Sequence, residues 1–95
     1  MGDLTGKVAV ITGAGRGLGR EEAIQLAKQG ARVVINDIGL PDAIEAAQSA
    51  VEEIKSFGGE AMAVYGDCAD SADAENLLKT TLDSYGDMNI MINNA

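Results

Sequence analysis

The sequence predicts an α/β fold, with one parallel β-sheet and helices packed on both of its faces. Three observations carry this expectation. Short apolar runs recur at Val8-Ala9-Val10-Ile11, Val33-Val34-Ile35, Ala61-Met62-Ala63-Val64 and Met88 to Ile92. Counted from Val8, Arg32, Ala61 and Met88, the spacings are 24, 29 and 27 residues, enough for one strand and one crossover helix each. The first three runs lack polar alternation, as strands covered on both faces do.

The segments between the runs read as helices. The first spans about Gly17 to Gln29 and stops at Gly30, with Leu18, Ile24 and Ala27 as its apolar set and Ala23 and Leu26 beside them. The second begins near Pro41-Asp42, where proline suits a first helical turn, and ends at Gly58-Gly59. Its Ile44, Ala47, Val51 and Ile54 share one face. The third starts near Ser71, with Asp73 and Glu75 where the helix dipole favours anions. Leu78, Leu82 and Tyr85 are its expected buried stripe, and Gly86 closes it. The order is β-α-β-α-β-α-β with right-handed crossovers, in one domain over residues 1–95.

Composition narrows the function. Apolar residues make up 46% and charged residues 23%, a globular balance. Seven Lys and Arg stand against 15 Asp and Glu, for a net charge of −8. That argues against a nucleic-acid binder, which needs a basic face, and 3% aromatics argue against base stacking. The absence of His removes Ser-His-Asp triads and His-ligated metals, and one Cys removes internal disulfides and Cys-only zinc sites, so no metal site is expected. Residues 1–40 carry 5 basic and 4 acidic side chains, and residues 41–95 carry 2 and 11, so an anion is better received by the first part. No apolar run is long enough for a signal-peptide core or a membrane span. Met1-Gly2 lacks the Ser or Thr that myristoylation requires, because Gly6 stands there. A soluble cytoplasmic protein is the expectation.

The chemistry lies in the turns after the strands. Thr12-Gly13-Ala14-Gly15-Arg16-Gly17-Leu18-Gly19 follows the first strand and opens the first helix. Glycine lets the chain turn with positive φ and lets a ligand touch the backbone, while the helix start offers free N–H groups to a phosphate. No Walker run occurs, and G-x-G-x-x-G fails because Leu18 and Arg20 fall where its last glycine should be. T-G-x-x-x-G-x-G fits through Thr12, Gly13, Gly17 and Gly19, and G-x-G-x-G fits through Gly13, Gly15 and Gly17. Asp37 ends the second strand, 20 residues after Gly17, where a carboxylate can accept from adenosine ribose hydroxyls. It would repel a 2′-phosphate, which favours NAD over NADP. Arg16 pulls the other way. Gly66-Asp67-Cys68 follows the third strand, as a turn or a ligand contact, and Asn93-Asn94-Ala95 follows the fourth.

The first glycine pattern resembles short-chain dehydrogenases/reductases, and the second resembles methyltransferases that use S-adenosylmethionine. Asn93-Asn94-Ala95 is similar to the Asn-Asn-Ala-Gly motif of the dehydrogenases and separates the two. The stretch Val34-Ile35-Asn36-Asp37-Ile38-Gly39 also resembles the family's hydroxyacyl-CoA dehydrogenases. The resemblance implies a Rossmann-type half sheet of strand order 3-2-1-4, three layers deep. It implies a dinucleotide held by Gly13, Gly15, Arg16, Gly17, Leu18 and Gly19, with Asp37 at the ribose. Asp67 and the Cys68 N–H would meet adenine, and Asn93, Asn94 and Ala95 would line the pocket. The family's catalytic Ser and Tyr-x-x-x-Lys lie beyond its Asn-Asn-Ala-Gly strand and have no counterpart here. Tyr65 is followed four residues later by Ala69, and Tyr85 by Asn89. No catalytic residue is therefore assigned. The resemblance implies the cofactor-binding part of an NAD-dependent oxidoreductase, inactive by itself, the alternatives being a nucleotide-binding module without chemistry or a fragment of an S-adenosylmethionine-dependent methyltransferase. With no strand beyond the fourth, Met88, Ile90, Met91 and Ile92 would form an open apolar edge, so a homo-oligomer through that strand is expected.

Overall fold

Four parallel strands form a sheet of order β3-β2-β1-β4 in the computed structural model, which describes residues 3–94. The elements are β1 (Val8–Thr12), α1 (Gly17–Lys28), β2 (Arg32–Asp37), α2 (Pro41–Ser56), β3 (Glu60–Tyr65), α3 (Ser71–Tyr85) and β4 (Ile90–Asn93). The expected order and topology are found. Met1, Gly2 and Ala95 lie outside the described residues, and with them the myristoylation reading at Met1-Gly2. Among the described residues no helix is long and apolar enough to cross a membrane.

Alternate strand residues feed two cores. Ala9, Ile11, Val33, Ile35 and Ala61 meet α1 and α2 through Ala23, Ile24, Ala27, Ala47, Ala50 and Ile54. The alanines keep both helices close to the sheet. On the opposite face Val10, Val34 and Val64 meet Leu77 of α3. Each fully buried Ile or Val side chain contributes about 1.5–3 kcal/mol by leaving water, so the first core, with more such groups, carries most of the stability.

Helix ends follow chemistry visible in the sequence. Pro41 opens α2, and Gly30, Gly58 and Gly86 stand just beyond α1, α2 and α3 with φ of 100°, 89° and 79°. Asp70, which the sequence reading did not single out, caps α3 by accepting from Ala72 N (2.9 Å) and Asp73 N (3.1 Å).

Three expectations about packing are corrected. Leu18 is 70% exposed, because it lies in the first turn of α1, at the mouth of the glycine loop rather than over the sheet. The buried stripe of α3 is Leu77 and Thr81, while Leu78 and Leu82 are 41% and 49% exposed. Thr81 tolerates burial because its hydroxyl donates to Leu77 O (2.7 Å). A stripe chosen on hydropathy alone therefore sits one residue, or about 100° of helix rotation, away from the true one. β4 starts at Ile90, not Met88, because Asn89 pairs with β1 through its side chain: Val8 N donates to Asn89 Oδ1 (2.8 Å). Ile90 and Ile92 pack against the first core and Met88 against the second, leaving Met91 as the exposed apolar side chain of β4.

At the other end of the sheet, the Arg32 guanidinium lies 4.9 Å from the centre of the Tyr85 ring and donates to Tyr85 O (3.0 Å). Burial, reinforced by the Glu60 carboxylate and opposed by Arg32, raises the Tyr85 phenol above its ordinary value of 10.0. The folded state thus keeps a proton that the unfolded chain gives up first. The stabilising contribution is whole below the unfolded value and is lost as pH rises through the folded one. In a Tyr65→Phe variant, absorbance of the remaining tyrosinate should titrate with a midpoint above pH 10, and urea should shift that midpoint down to the free value.

Candidate functional site

All four strands run the same way, so their carboxyl ends share one edge of the sheet, the edge at which open α/β sheets bind ligands. Thr12 pairs with Asn36 on one side and Asn93 on the other, and Asp37 pairs with Tyr65. The loop after β1, the end of β2, the turn after β3 and the end of β4 are therefore neighbours along that edge. Every described residue that the resemblance assigns to the cofactor lies on or beside it.

The glycine loop is tightly built. Gly13 and Gly17 both have φ of 62°, in the left-handed region that favours glycine. Gly19 is buried against the loop, and a Cβ there would lie 2.5 Å from Gly13 O, a clash with main chain that no side-chain movement relieves. Gly15 N donates to Asp37 Oδ2 (3.1 Å), and a Cβ on Gly15 would lie 2.9 Å from that oxygen. Ala14 N donates to Asn36 O (3.2 Å). The loop is thereby tied to β2 at two successive residues.

The start of α1 differs from that of α3. Its N-cap, Arg16, makes no side-chain bond to the first-turn amides, whereas Asp70 caps α3. Apart from its chain neighbours and the backbone of its own helix, no atom lies within 4 Å of where a Cβ on Gly17 would stand. Uncapped amides, the positive end of the helix dipole and open space in front of a glycine fit a phosphate group. Arg16 is exposed beside them, and with Ile38, Leu40 and Pro41 it lines a shallow groove.

Asp37 is half-buried, and each carboxylate oxygen already accepts one backbone N–H: Oδ2 from Gly15 and Oδ1 from Ile38 (2.9 Å). A carboxylate has about four acceptor positions, so capacity for two hydroxyls remains. Asp67 is exposed, and its Oδ1 accepts from Ala69 N (2.9 Å), an Asx turn, while its own N–H donates to Asp73 Oδ2 (2.8 Å). The half-buried Cys68 carries a free thiol. Thr12 Oγ1 donates to Asn93 Oδ1 (2.9 Å) and accepts from Asn94 N (3.0 Å), which fixes the end of β4 to the end of β1. Ala95 lies outside the described residues.

Two contributors were missed from the sequence. Asn36 is 3% exposed, and its Nδ2 donates to Val64 O (3.0 Å) and Gly66 O (3.3 Å), holding the turn that carries Asp67. Its signal was available, since a polar amide closing the run Val33-Val34-Ile35 needs a buried partner. Glu22, on α1, accepts from Asn94 Nδ2, and nothing in local periodicity marks it.

Comparison with known proteins agrees with this geometry. The family model for short chain dehydrogenases matches residues 7–95. An uncharacterized oxidoreductase of Thermotoga maritima is 47% identical over 90 residues, covering 95% of this chain and 34% of its own length. The L-rhamnose 1-dehydrogenase (NAD(P)(+)) of Azotobacter vinelandii is 42% identical over 92 residues, covering 97% of this chain and 36% of its own. The crystal structure of a short chain dehydrogenase from Mycobacterium avium superposes with a TM-score of 0.93 at 44% identity, over 100% of this chain and 35% of that one. The chain thus spans about a third of the length of these relatives.

Proposed function

Because the chain belongs to the short-chain dehydrogenase family, we propose that it is the NAD-binding portion of an oxidoreductase acting on an alcohol or ketone. The observation that carries this reading is the uncapped start of α1, set in open space behind a glycine loop that is tied to Asp37. A pyrophosphate over the first-turn amides gains the helix-dipole attraction, about 0.3–2 kcal/mol, and direct N–H bonds. Bound nicotinamide supplies the hydride chemistry.

The chain's own residues supply binding. Gly13, Gly15, Gly17 and Gly19 shape the loop, Arg16 and Leu18 flank the phosphates, and Asp37 accepts from the adenosine ribose hydroxyls. Asp67 and the Cys68 N–H meet adenine, while Asn93 and Asn94 line the far side of the pocket. The Asp37 carboxylate disfavours a 2′-phosphate, so NAD is preferred over NADP, with Arg16 as the countervailing cation. The charge of −8 supports a small dinucleotide rather than a nucleic acid as partner. Exposed Met91 on the outer strand β4 supports self-association through that strand. The location that fits a lone free thiol is the cytoplasm.

Titration calorimetry tests the loop. Gly13→Val and Gly19→Val should lose NAD binding, whereas Gly39→Ala should retain it, because a Cβ at Gly39 meets only Tyr65 Cβ at 3.9 Å. Unchanged affinity in both valine variants refutes the loop assignment.

Asp37→Ala should lower NAD affinity and raise the NADP-to-NAD preference by about tenfold, the scale of one hydrogen bond to a charged group. A ratio that does not move reduces Asp37 to its bonds with Gly15 and Ile38.

The family's Tyr-x-x-x-Lys pair, in which a cation lowers the tyrosine pKa, is not among these residues. The purified chain should therefore show no steady NADH absorbance change with secondary alcohols, ketones or 3-hydroxyacyl-CoA compounds. Turnover that vanishes in Gly19→Val would reveal a catalytic group of the chain's own.

A further inference from the structure

The end of β4 is held by a carboxylate that belongs neither to the glycine loop nor to the Asn-Asn pair. Glu22 lies in the second turn of α1, and its Oε1 accepts from Asn94 Nδ2 (2.5 Å). The Asn94 main chain is fixed separately, by its N–H donating to Thr12 Oγ1 (3.0 Å). Asn94 is thus held at two points, and the side-chain point carries directional information. An ionised carboxylate only accepts hydrogen bonds. It can meet the Asn94 amide only through the NH₂, and the carbonyl oxygen Oδ1 must turn away from it. Among the described residues, no donor reaches that oxygen.

The sheet order says which part of a ligand the end of β4 would meet. β4 lies on the far side of β1 from β2. With the adenosine ribose at Asp37 after β2 and the phosphates over the loop after β1, the rest of a dinucleotide lies toward the end of β4. That part carries ribose hydroxyls and a carboxamide NH₂, which are donors. We propose that Glu22 is a positioning residue that sets the polarity of the Asn94 amide, so that the end of β4 offers an acceptor to the nicotinamide-ribose half of the cofactor. The proposal rests on the NAD reading given above. It also explains why a carboxylate is placed on the helix whose start receives phosphate. Its charge works against the anion, so its benefit must lie at another part of the ligand.

Two measurements test this. In the ¹⁵N spectrum of the ligand-free chain, the Asn94 side-chain amide should move to a free-amide position in Glu22→Ala and move part of the way in Glu22→Gln, which can meet Asn94 with either its oxygen or its NH₂. Backbone signals of Ala27 and Val33 should not move in either variant. An Asn94 amide that ignores Glu22→Ala overturns the proposal. In calorimetry, Glu22→Ala should weaken NAD by about 5–10-fold, the effect of one net hydrogen bond. It should leave ADP, which lacks the distal ribose, unchanged or tighter, and Glu22→Gln, neutral and able to meet Asn94 with either end of its amide, should fall between wild type and Glu22→Ala for NAD and match Glu22→Ala for ADP. Equal loss for NAD and ADP means that Glu22 only supports the fold, and overturns the proposal. So does wild-type NAD binding indifferent to Glu22→Ala, with the cofactor reading left intact. A wild-type chain that binds neither NAD nor ADP overturns the cofactor reading and this proposal together.

Discussion

β1 is the strand on which the other parts depend. All five of its residues, Val8 to Thr12, are buried to 0% exposure, and it is paired on both sides. Buried main-chain groups must find partners, so both ends of β1 have to be closed by something other than water. At the start, Val8 N–H is taken by the Asn89 side chain, and Val8 O by Asn89 N–H (2.9 Å). At the finish, the Thr12 hydroxyl bridges Asn93 and Asn94. Asparagine and threonine, poor choices on hydropathy, are where they are because a central strand ends there. The same closure brings the glycine loop, Asp37 and the end of β4 onto one rim.

How much of this was legible depended on the range of the interaction. Helix ends were, because Pro41, Gly30, Gly58 and Gly86 act within a turn of their own position. The glycine loop was, because positive φ and close backbone approach need glycine locally. The face of α3 was not. Leu78 and Leu82 outrank Thr81 on any hydropathy scale, and only the bond from Thr81 Oγ1 to Leu77 O reverses the ranking. Asn36 and Glu22 were missed for the opposite reason: their partners, Val64, Gly66 and Asn94, are 28, 30 and 72 residues away. A period or a cap motif carries no trace of such a pair.

Charge is distributed in keeping with the geometry. The cations at the rim, Arg16 and Arg20, are on or next to the loop, and Arg20 pairs with Glu53 (2.7 Å) while its other nitrogen donates to Ala46 O (3.4 Å). That pair joins α1 to α2, but it is partly exposed and contributes at most about 1 kcal/mol. Its larger effect is orientation, since it steadies the helix that presents its amides. Most of the acidic surplus lies after residue 40, on α2 and α3 and in the turns beside α3.

The double pairing of β1 also sets an order of opening. Amides in a strand held on both sides exchange with solvent only when the surrounding sheet comes apart, whereas the outer strands β3 and β4 each keep one partner and can fray alone. The glycine loop emerges directly from the last part of the molecule to open. Its anchored end shares the lifetime of the whole fold, while Gly17 and Leu18 at the start of α1, a few residues on, lie exposed at the surface. A slow base and a fast rim, joined by four glycines, mean that transient unfolding at the edges of the sheet leaves the uncapped turn in place.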